Sequence, residues 1–371
     1  MNHWQRFSLF ALISCLSLLL LAQTSVATAE PPAPAYQAAT YEELMNEFGY
    51  GVSVLPWTAP GLAGFDWKKV YLPPSHRLPN HILYRVKLDG YYANPSDYTA
   101  EDAYRLAFRY GNFIEAYEIG NEVNLNKDGW EKPPNAAEYA ALLCRVAPAI
   151  KAADPNAIIV SAGLAPTGRI LGDWQGHAGH NGDVQDEREY LREFIAAGGA
   201  DCADVIGYHP VGFRADFDAI PDLDGGNPET NCLNGFCFRG VEKIREILVE
   251  HGYEDKKIWA TEMGWLREPY SYCLGTSSWK GRGWQTVAPQ AQADNLVGAF
   301  QYAQEQWPWM GAMFIFNYNF SEVRYYWYCE HMRSYSIKNQ FADVALKQMN
   351  LPYRHFMPLV PRRMFYYPLS Q

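Results

Sequence analysis

Two glutamates stand directly after short apolar runs, where their carboxyl groups could act as a pair. Glu122 follows the predicted strand 116–119 after Gly120 and Asn121, and Glu262 follows the run 258–261. One carboxyl group of such a pair can donate and accept a proton while the other attacks as a nucleophile. A lone glutamate at a strand end is usually a solvated boundary residue. The pair becomes informative if the fold brings the two strand ends together.

Eight short apolar runs predict β-strands, and amphipathic stretches between them predict helices. The predicted strands cover residues 50–55, 67–72, 82–86, 116–119, 157–162, 205–208, 257–261 and 313–317, and the predicted helices cover 103–110, 136–152, 186–197, 238–251 and 289–306. Near-continuous apolar runs are typical of parallel strands that are buried on both faces. Eight strands with intervening helices predict an α/β fold, a single (β/α)8 TIM barrel, over an open doubly wound sheet. No Gly-x-Gly-x-x-Gly follows the first strand, which argues against a dinucleotide-binding domain.

The helix boundaries carry their own signals. Asp102, Asn135 and Asp186 are predicted N-caps, and Gly198 and Gly252 are predicted stops. Only residues 73–81 separate the second and third strands, too few for a full helix. The second βα unit is therefore predicted to be abbreviated. In such a barrel the catalytic residues lie at the carboxyl ends of the strands, which would bring Glu122 and Glu262 together.

The first residues have the order of a secretory signal. A short segment with Arg6 precedes the apolar run 7–22, and small residues follow at Ala27 and Ala29. We predict a signal peptide over 1–29, a Pro/Ala-rich linker over 30–39 and one catalytic domain over 40–371. The run is shorter than the ~20 residues of a membrane span, although retention as an anchor stays open. The product is expected to be extracellular or periplasmic and monomeric, with no membrane association after the signal is removed.

The overall charge restricts the partners of the chain. The 371 residues carry a formal net charge of −10, which argues against nucleic acid and anionic membrane surfaces as partners. Aromatic residues make up 15% of the chain, so some rings could line a surface that stacks on flat groups such as sugars. The alternative is a tyrosine-rich core.

Seven cysteines are present, and Cys15 lies in the predicted signal. An oxidising compartment would favour pairing of the remaining six. The predicted pairs are Cys232 with Cys237 and Cys273 with Cys329. A helix face bears Cys144, and Cys202 precedes a strand, so both could be buried thiols. No cysteine spacing resembles a zinc site, and no metal or other cofactor is expected.

The two glutamate motifs, in register on a barrel, resemble those of the retaining glycoside hydrolases of clan A. The likeness rests on Asn121-Glu122 at strand four and Thr261-Glu262-Met263-Gly264-Trp265 at strand seven, with further support from 157–168, 206–210 and 314–319. It is strongest to a cellulase-like bacterial extracellular subgroup near families 5 and 39. The resemblance implies a β-glycosidase in which Glu122 is the general acid/base and Glu262 the nucleophile. Retention requires carboxyl groups about 5–5.5 Å apart. Two carboxyl groups that close should not both be charged, which would keep Glu122 protonated before the covalent intermediate forms.

The resemblance also implies residues that bind the substrate. Asn121 would bind the sugar 2-hydroxyl, while Tyr208 and His209 would hold the nucleophile and the sugar. Asn317 is a further binding candidate. Six aromatic residues at or after strand ends are candidates for stacking on sugars: Trp57, Trp130, Trp265, Tyr318, Tyr326 and Trp327. Trp265 is the favoured one of these, whereas Trp67 and Trp259 lie inside strands and are expected in the core.

Some positions depart from the clan A pattern. Phe316-Asn317 stands where a Trp is common, and Lys68 and Lys69 stand near the place of a strand-two Arg, with Arg85 on strand three. The substrate sugar therefore stays open. Two alternatives also stay open, a catalytically impaired carbohydrate-binding barrel and a metal-dependent barrel hydrolase with one Glu. The sequence argues against the second alternative, because it requires a cluster of metal ligands and no third ligand stands near His177 and His180.

Overall fold

A computed structural model describes residues 39–55, 64–88, 94–126, 130, 132–167, 184–221, 232, 236–324 and 326–349. The predicted signal peptide and nearly all of the predicted linker lie outside these residues, as do Trp57, His177 and His180. The described residues, all from Ala39 onward, group into one compact unit.

The described elements alternate between strands and helices. Their order is α1 (Tyr41–Asn46), β1 (Gly49–Val54), β2 (Trp67–Val70), β3 (His81–Val86), α2 (Ala100–Tyr110), β4 (Ala116–Ile119), α3 (Ala136–Ala153), β5 (Ile158–Ser161), α4 (Glu187–Ala196), β6 (Val205–Tyr208), α5 (Val241–Glu250), β7 (Lys257–Met263), β8 (Leu266–Arg267), β9 (Thr286–Val287), α6 (Pro289–Gln306), β10 (Met310–Ile315) and α7 (Phe341–Gln348).

Eight of the strands close into a parallel barrel. The order around it is β1-β10-β7-β6-β5-β4-β3-β2, and β8 pairs with β9 in a separate two-stranded sheet. The predicted (β/α)8 barrel is confirmed, and so is its abbreviated second unit, because residues 71–80 connect β2 to β3 without a helix. β4 and β7 lie on different sides of the ring, so their carboxyl ends face each other across the mouth.

Helix ends follow the predicted signals with one exception. Asn135 and Asp186 cap α3 and α4, and each side chain accepts a hydrogen bond from the first turn of its helix. The prediction for Asp102 is wrong, because α2 begins earlier, at Ala100. Thr99 is the N-cap, and the Asp102 carboxylate accepts the Thr99 backbone N–H in a capping box.

The barrel interior is filled with large side chains. Trp67, Trp259 and Phe314 are buried together, and the two indole rings meet edge to face with centroids 5.0 Å apart. Both tryptophans therefore lie in the core, as predicted. Leu44 of α1 packs into the same cluster, so the helix that precedes β1 covers the amino-terminal end of the barrel. A larger apolar layer lies between the strands and the surrounding helices.

Three disulfides join the described cysteines. The bonds Cys232–Cys237 and Cys273–Cys329 confirm both predicted pairs. Cys144 and Cys202 are not buried thiols, since they form the third bond, with Cα atoms 5.0 Å apart. This bond ties α3 to the short 3₁₀ turn before β6. The described part of the chain contains no helix that is long and apolar enough to cross a bilayer.

Gly51 on β1 leaves room for the Phe314 ring, and a Cβ at this position would overlap that ring. We expect Gly51→Ala to lower the free energy of unfolding by about 1–3 kcal/mol, as overpacking of a filled core does. Denaturant unfolding followed by tryptophan fluorescence would measure it. Gly283→Ala is the control, since nothing lies within 4 Å of its Cβ. Equal stability of the Gly51 variant and the wild type would contradict this packing.

Candidate active site

Glu122 and Glu262 meet at the carboxyl end of the barrel, beside the same nitrogen of His209. Nδ1 of His209 lies 3.0 Å from Glu122 Oε1 and 4.0 Å from Glu262 Oε2. Because both oxygens are measured from one atom, they are at most 7.0 Å apart. Glu122 keeps 22% of its side chain exposed and Glu262 keeps 13%, so a ligand in the mouth could reach both.

A buried ion pair lies beneath these carboxyl groups. Lys69 of β2 places its Nζ 2.7 Å from Glu118 Oε2 and 2.9 Å from Glu262 Oε1. Both Lys69 and Glu118 are fully buried. Burying either charge alone would cost a large amount of free energy, so Lys69 and Glu118 are stable in the barrel interior only as a pair.

The charges of this cluster decide the ionisation of Glu118 and Glu262. Burial alone would raise the pKa of Glu118, but Lys69 and His209 outweigh it and hold that pKa at about 2. Burial also acts against ionisation of Glu262, and there again Lys69 and His209 prevail and lower the pKa of its carboxyl group. Both groups are therefore carboxylates at neutral pH.

His209 is the second cation of the cluster. Burial favours its neutral form, but the facing carboxylates, with Glu262 foremost, raise its pKa to about 9. The ring is then an imidazolium at neutral pH, so both nitrogens carry a proton. Nδ1 donates to Glu122, and Nε2 faces Glu118 at 3.9 Å. Gly163 is required beside it, because a Cβ there would overlap Nε2.

Backbone contacts fix the position of Glu122. Its N–H donates to the Gly163 carbonyl at 3.0 Å. Its φ of 41° lies in the left-handed region, which non-glycine residues rarely adopt and which costs of order 1–3 kcal/mol. Tyr139 of α3 supports the neighbouring strands, since its hydroxyl donates to the Ile119 carbonyl and accepts the Ala162 N–H.

Tyrosines from two loops complete the surroundings of Glu262. The Tyr71 hydroxyl donates to Glu262 Oε1 at 3.2 Å, and burial raises the pKa of Tyr71 well above its ordinary value. Tyr335 follows β10 and feels the charge of both Glu122 and Glu262, although burial is the main reason that its pKa is raised. Its ring meets Phe316 edge to face at 5.6 Å. Neither tyrosine was a predicted site residue, since Tyr71 fell inside the predicted strand 67–72 and Tyr335 ends a short 3₁₀ helix after β10.

Two of the predicted binding residues lie next to the carboxyl pair. His209 contacts both glutamates, and Asn121 is buried directly before Glu122. Tyr208 is different, because successive side chains of a strand point to opposite faces. It is buried in the layer between strands and helices, where Glu187 and Arg188 are its charged neighbours.

Asn317 and Trp265 serve the packing of the mouth loops. The Asn317 amide donates to the Met332 carbonyl, and its oxygen accepts from the Phe320 N–H and the Ser336 hydroxyl. Trp265 is completely buried, and its indole N–H donates to the Ala215 carbonyl at 2.7 Å. It therefore presents no open face to a sugar, in contrast to the sequence-based expectation.

The other predicted stacking residues divide into buried and exposed ones. Trp130 and Tyr318 are buried, and the Trp130 indole N–H donates to the Pro133 carbonyl. Tyr326 is half-buried and stacks on Phe320 with ring centroids 5.4 Å apart. Only Trp327 of these four has more than half of its side chain exposed.

The described residues contain no group of three or more His, Cys, Asp or Glu side chains arranged to hold a metal ion. The cluster at the mouth is instead a set of three carboxyl groups and two cations. Its two partly exposed carboxyl groups are suited to proton transfer and nucleophilic attack on one ligand.

Comparison with known proteins supports the fold. No protein-family model matches the sequence, and no curated protein matches it. Similar solved structures include a family 39 glycoside hydrolase from the gut symbiont Bacteroides cellulosilyticus WH2, with 16% identity and a TM-score of 0.51 over 81% of this chain and 62% of that one. A glucosidase from Croceicoccus marinus has 12% identity and a TM-score of 0.51 over 81% of this chain and 66% of that one. The chain thus spans less than two thirds of either structure, and at these identities the likeness establishes the barrel fold alone.

The raised pKa of His209 predicts a distinct titration. Its imidazolium should persist well above pH 6.5 and lose its proton near pH 9, which histidine side-chain ¹⁵N NMR can follow. Because the folded-state pKa exceeds the unfolded value, its stabilising contribution is complete below pH 6.5 and is lost as the pH rises through about 9.

His209→Gln identifies the signal and serves as the reference for stability. The difference in unfolding free energy between wild type and variant should shrink between pH 6.5 and about 9. A His209 ring that deprotonates near pH 6.5 would show that the imidazolium is not held by the carboxylates.

Proposed function

We propose that this chain is a retaining β-glycoside hydrolase in which Glu262 is the nucleophile and Glu122 the general acid/base. The observation that carries the proposal is the carboxyl pair on His209, with a separation of no more than 7.0 Å between the facing oxygens. This limit is compatible with the separation of about 5–5.5 Å between the carboxyl groups of retaining enzymes.

The environment of Glu262 suits a nucleophile. Its lowered pKa keeps it ionised, and Lys69 and Tyr71 both donate to Oε1. Oε2 is then the oxygen directed at the anomeric carbon. Attack by Oε2 forms the bond from the carboxylate to that carbon while the bond from the carbon to the leaving oxygen breaks.

Glu122 is placed to handle the proton of both steps. It is the most exposed of the three carboxyl groups, and His209 orients it through Oε1. In the first step the protonated Glu122 carboxyl group gives its proton to the leaving oxygen and is left as a carboxylate. In the second step it takes a proton from water, which attacks the anomeric carbon and releases Glu262. Asn121, beside it, would bind the sugar 2-hydroxyl.

The proposed substrate is a β-linked carbohydrate outside the cytoplasm. Three disulfides support folding in an oxidising compartment, in agreement with the secretory signal in the sequence. Tyr335 feels the charges of the carboxyl pair and Phe316 packs against its ring, in the region after β10 where clan A enzymes commonly place a Trp. The sugar itself is to be found with a panel of aryl β-glycosides: glucoside, xyloside, mannoside, galactoside and arabinoside.

Replacing either glutamate should separate the two roles. Glu262→Ala should lower kcat by roughly 10³-fold or more, since no covalent intermediate can form. Glu122→Ala should lower kcat/KM by roughly 10²–10⁴-fold on poor leaving groups and far less on activated aryl groups, which need no proton. Steady-state hydrolysis of the best aryl glycoside measures both effects.

The product formed with azide distinguishes the roles of the two glutamates. Glu262→Ala with azide should yield the α-glycosyl azide, and Glu122→Ala with azide should yield the β-glycosyl azide, which NMR distinguishes. Full turnover by Glu262→Ala would refute the proposed mechanism. If the unmodified protein binds glycans and hydrolyses none, the function is that of a carbohydrate-binding barrel.

Lys69 should set the acidic limb of the pH profile. Lys69→Met removes the cation that lowers the pKa of Glu262. The acidic limb of kcat/KM should therefore move to higher pH, and activity at mildly acidic pH should fall. Lys69→Arg keeps the charge and should leave the limb nearer to that of the wild type.

The Lys69→Met variant also leaves Glu118 buried without its cation, so it could fail to fold. Lys69→Met combined with Glu118→Gln removes both charges of the pair and keeps the volume. This double variant should fold and still show the shifted limb. An unchanged limb in a folded double variant would show that Lys69 does not tune the nucleophile.

A further inference from the structure

Four aromatic side chains form an exposed surface on the loops of the barrel mouth. Tyr270 and Tyr272 follow β8, and Trp327 and Tyr328 follow β10. Each has more than half of its side chain exposed. We call these four residues the aromatic platform. Neither the nucleophile nor the acid/base of the proposed reaction belongs to it.

The four rings form one continuous series. Tyr270 and Tyr272 are nearly parallel, with centroids 5.5 Å apart and planes 9° from each other. Tyr272 meets Tyr328 at 5.9 Å, and Tyr328 meets Trp327 at 4.5 Å. Neighbouring rings of such a series can contact successive units of a chain-like ligand.

The platform is fixed from below. The Cys273–Cys329 bond joins the two loops, with one cysteine beside Tyr272 and the other beside Tyr328. The Trp279 indole N–H donates to the Cys329 carbonyl at 2.8 Å. The two loops that carry the rings are therefore tied together before any ligand binds, which reduces the entropy lost on binding.

The same support reaches the carboxyl pair. Leu266, Cys273, Trp279 and Cys329 form a small buried cluster, and Tyr335 packs against it. Tyr335 is the tyrosine that feels the charges of Glu122 and Glu262. Tyr335 thus connects the packing beneath the platform with the surroundings of the carboxyl pair.

We propose that the aromatic platform binds a neutral β-linked polysaccharide, whose sugar rings stack on the aromatic faces while another part of the chain lies at the carboxyl pair. This proposal rests on the proposed function and assigns a polymer as its substrate. Pyranose rings have flat apolar faces with hydroxyl groups at their edges, which suits tyrosine and tryptophan. The net charge of −10 disfavours polyanionic glycans.

The test compares binding with turnover in the full-length secreted protein. Tyr272→Ala combined with Tyr328→Ala removes the centre of the platform. Tyr104→Ala combined with Phe108→Ala is the matched control, because these two rings form a stacked and exposed pair on α2. The probes are β-glucan, xylan, mannan and galactan in affinity electrophoresis, each with the Glu262→Gln substitution present so that the polymer stays intact.

We expect about a tenfold weaker affinity for the retained polymer in the platform variant, and no change in the control variant. With Glu262 restored, kcat/KM on an aryl monoglycoside should stay within about twofold of the wild-type value, because this substrate lacks the further sugar units that the proposal places on the platform. The KM for the polymer should rise.

Three results would overturn the proposal. The first is unchanged polymer affinity in the platform variant. The second is that the protein with an intact platform retains none of the four polymers. The third is that the platform instead holds two copies of the chain together. Size-exclusion chromatography over a range of protein concentrations detects the last. Platform-dependent binding without hydrolysis of any glycoside would support the platform and refute the proposed reaction, so the two failures are distinguishable.

Discussion

The structure of the mouth depends on two buried cations among three carboxyl groups. Lys69 and His209 are both fully buried, and neither could stay charged without the carboxylates that face them. Glu118 is the deepest of these and touches no part of the open mouth. It fixes Lys69, and Lys69 in turn fixes Glu262. The accessible carboxyl groups are therefore positioned by buried charges beneath them. The same network explains the glycine at position 163, since a larger residue there would displace the imidazolium.

The fold was predictable because its signals are local. Apolar runs of the right length predicted all eight barrel strands, and the two strands that end near Glu122 and Glu262 were among them. Helix caps and stops such as Asn135 and Gly198 depend on a few neighbouring residues. Their errors were correspondingly small, as at Thr99, where a capping box places the start of α2 three residues before the predicted position.

The site was predictable only in part, because its remaining residues depend on distant contacts. Trp265 follows the predicted nucleophile closely, but its ring is buried. The indole N–H donates to the Ala215 carbonyl, and the ring lies against Gly212, where a Cβ would overlap it. His209 directly follows Tyr208, but the two side chains point to opposite faces of the barrel wall. His209 reaches the mouth, whereas Tyr208 lies in the layer between strands and helices. The bond between Cys144 and Cys202 has no signature in their spacing, since α3 and the turn before β6 meet only in the folded chain.

The covered amino-terminal end of the barrel determines how a ligand can approach the carboxyl pair. Leu44 closes that end, and Trp67, Trp259 and Phe314 fill the space above it. A chain-like molecule consequently cannot thread along the barrel axis, so it must lie across the opening. A ligand of the carboxyl pair therefore enters and leaves by the same face of the barrel.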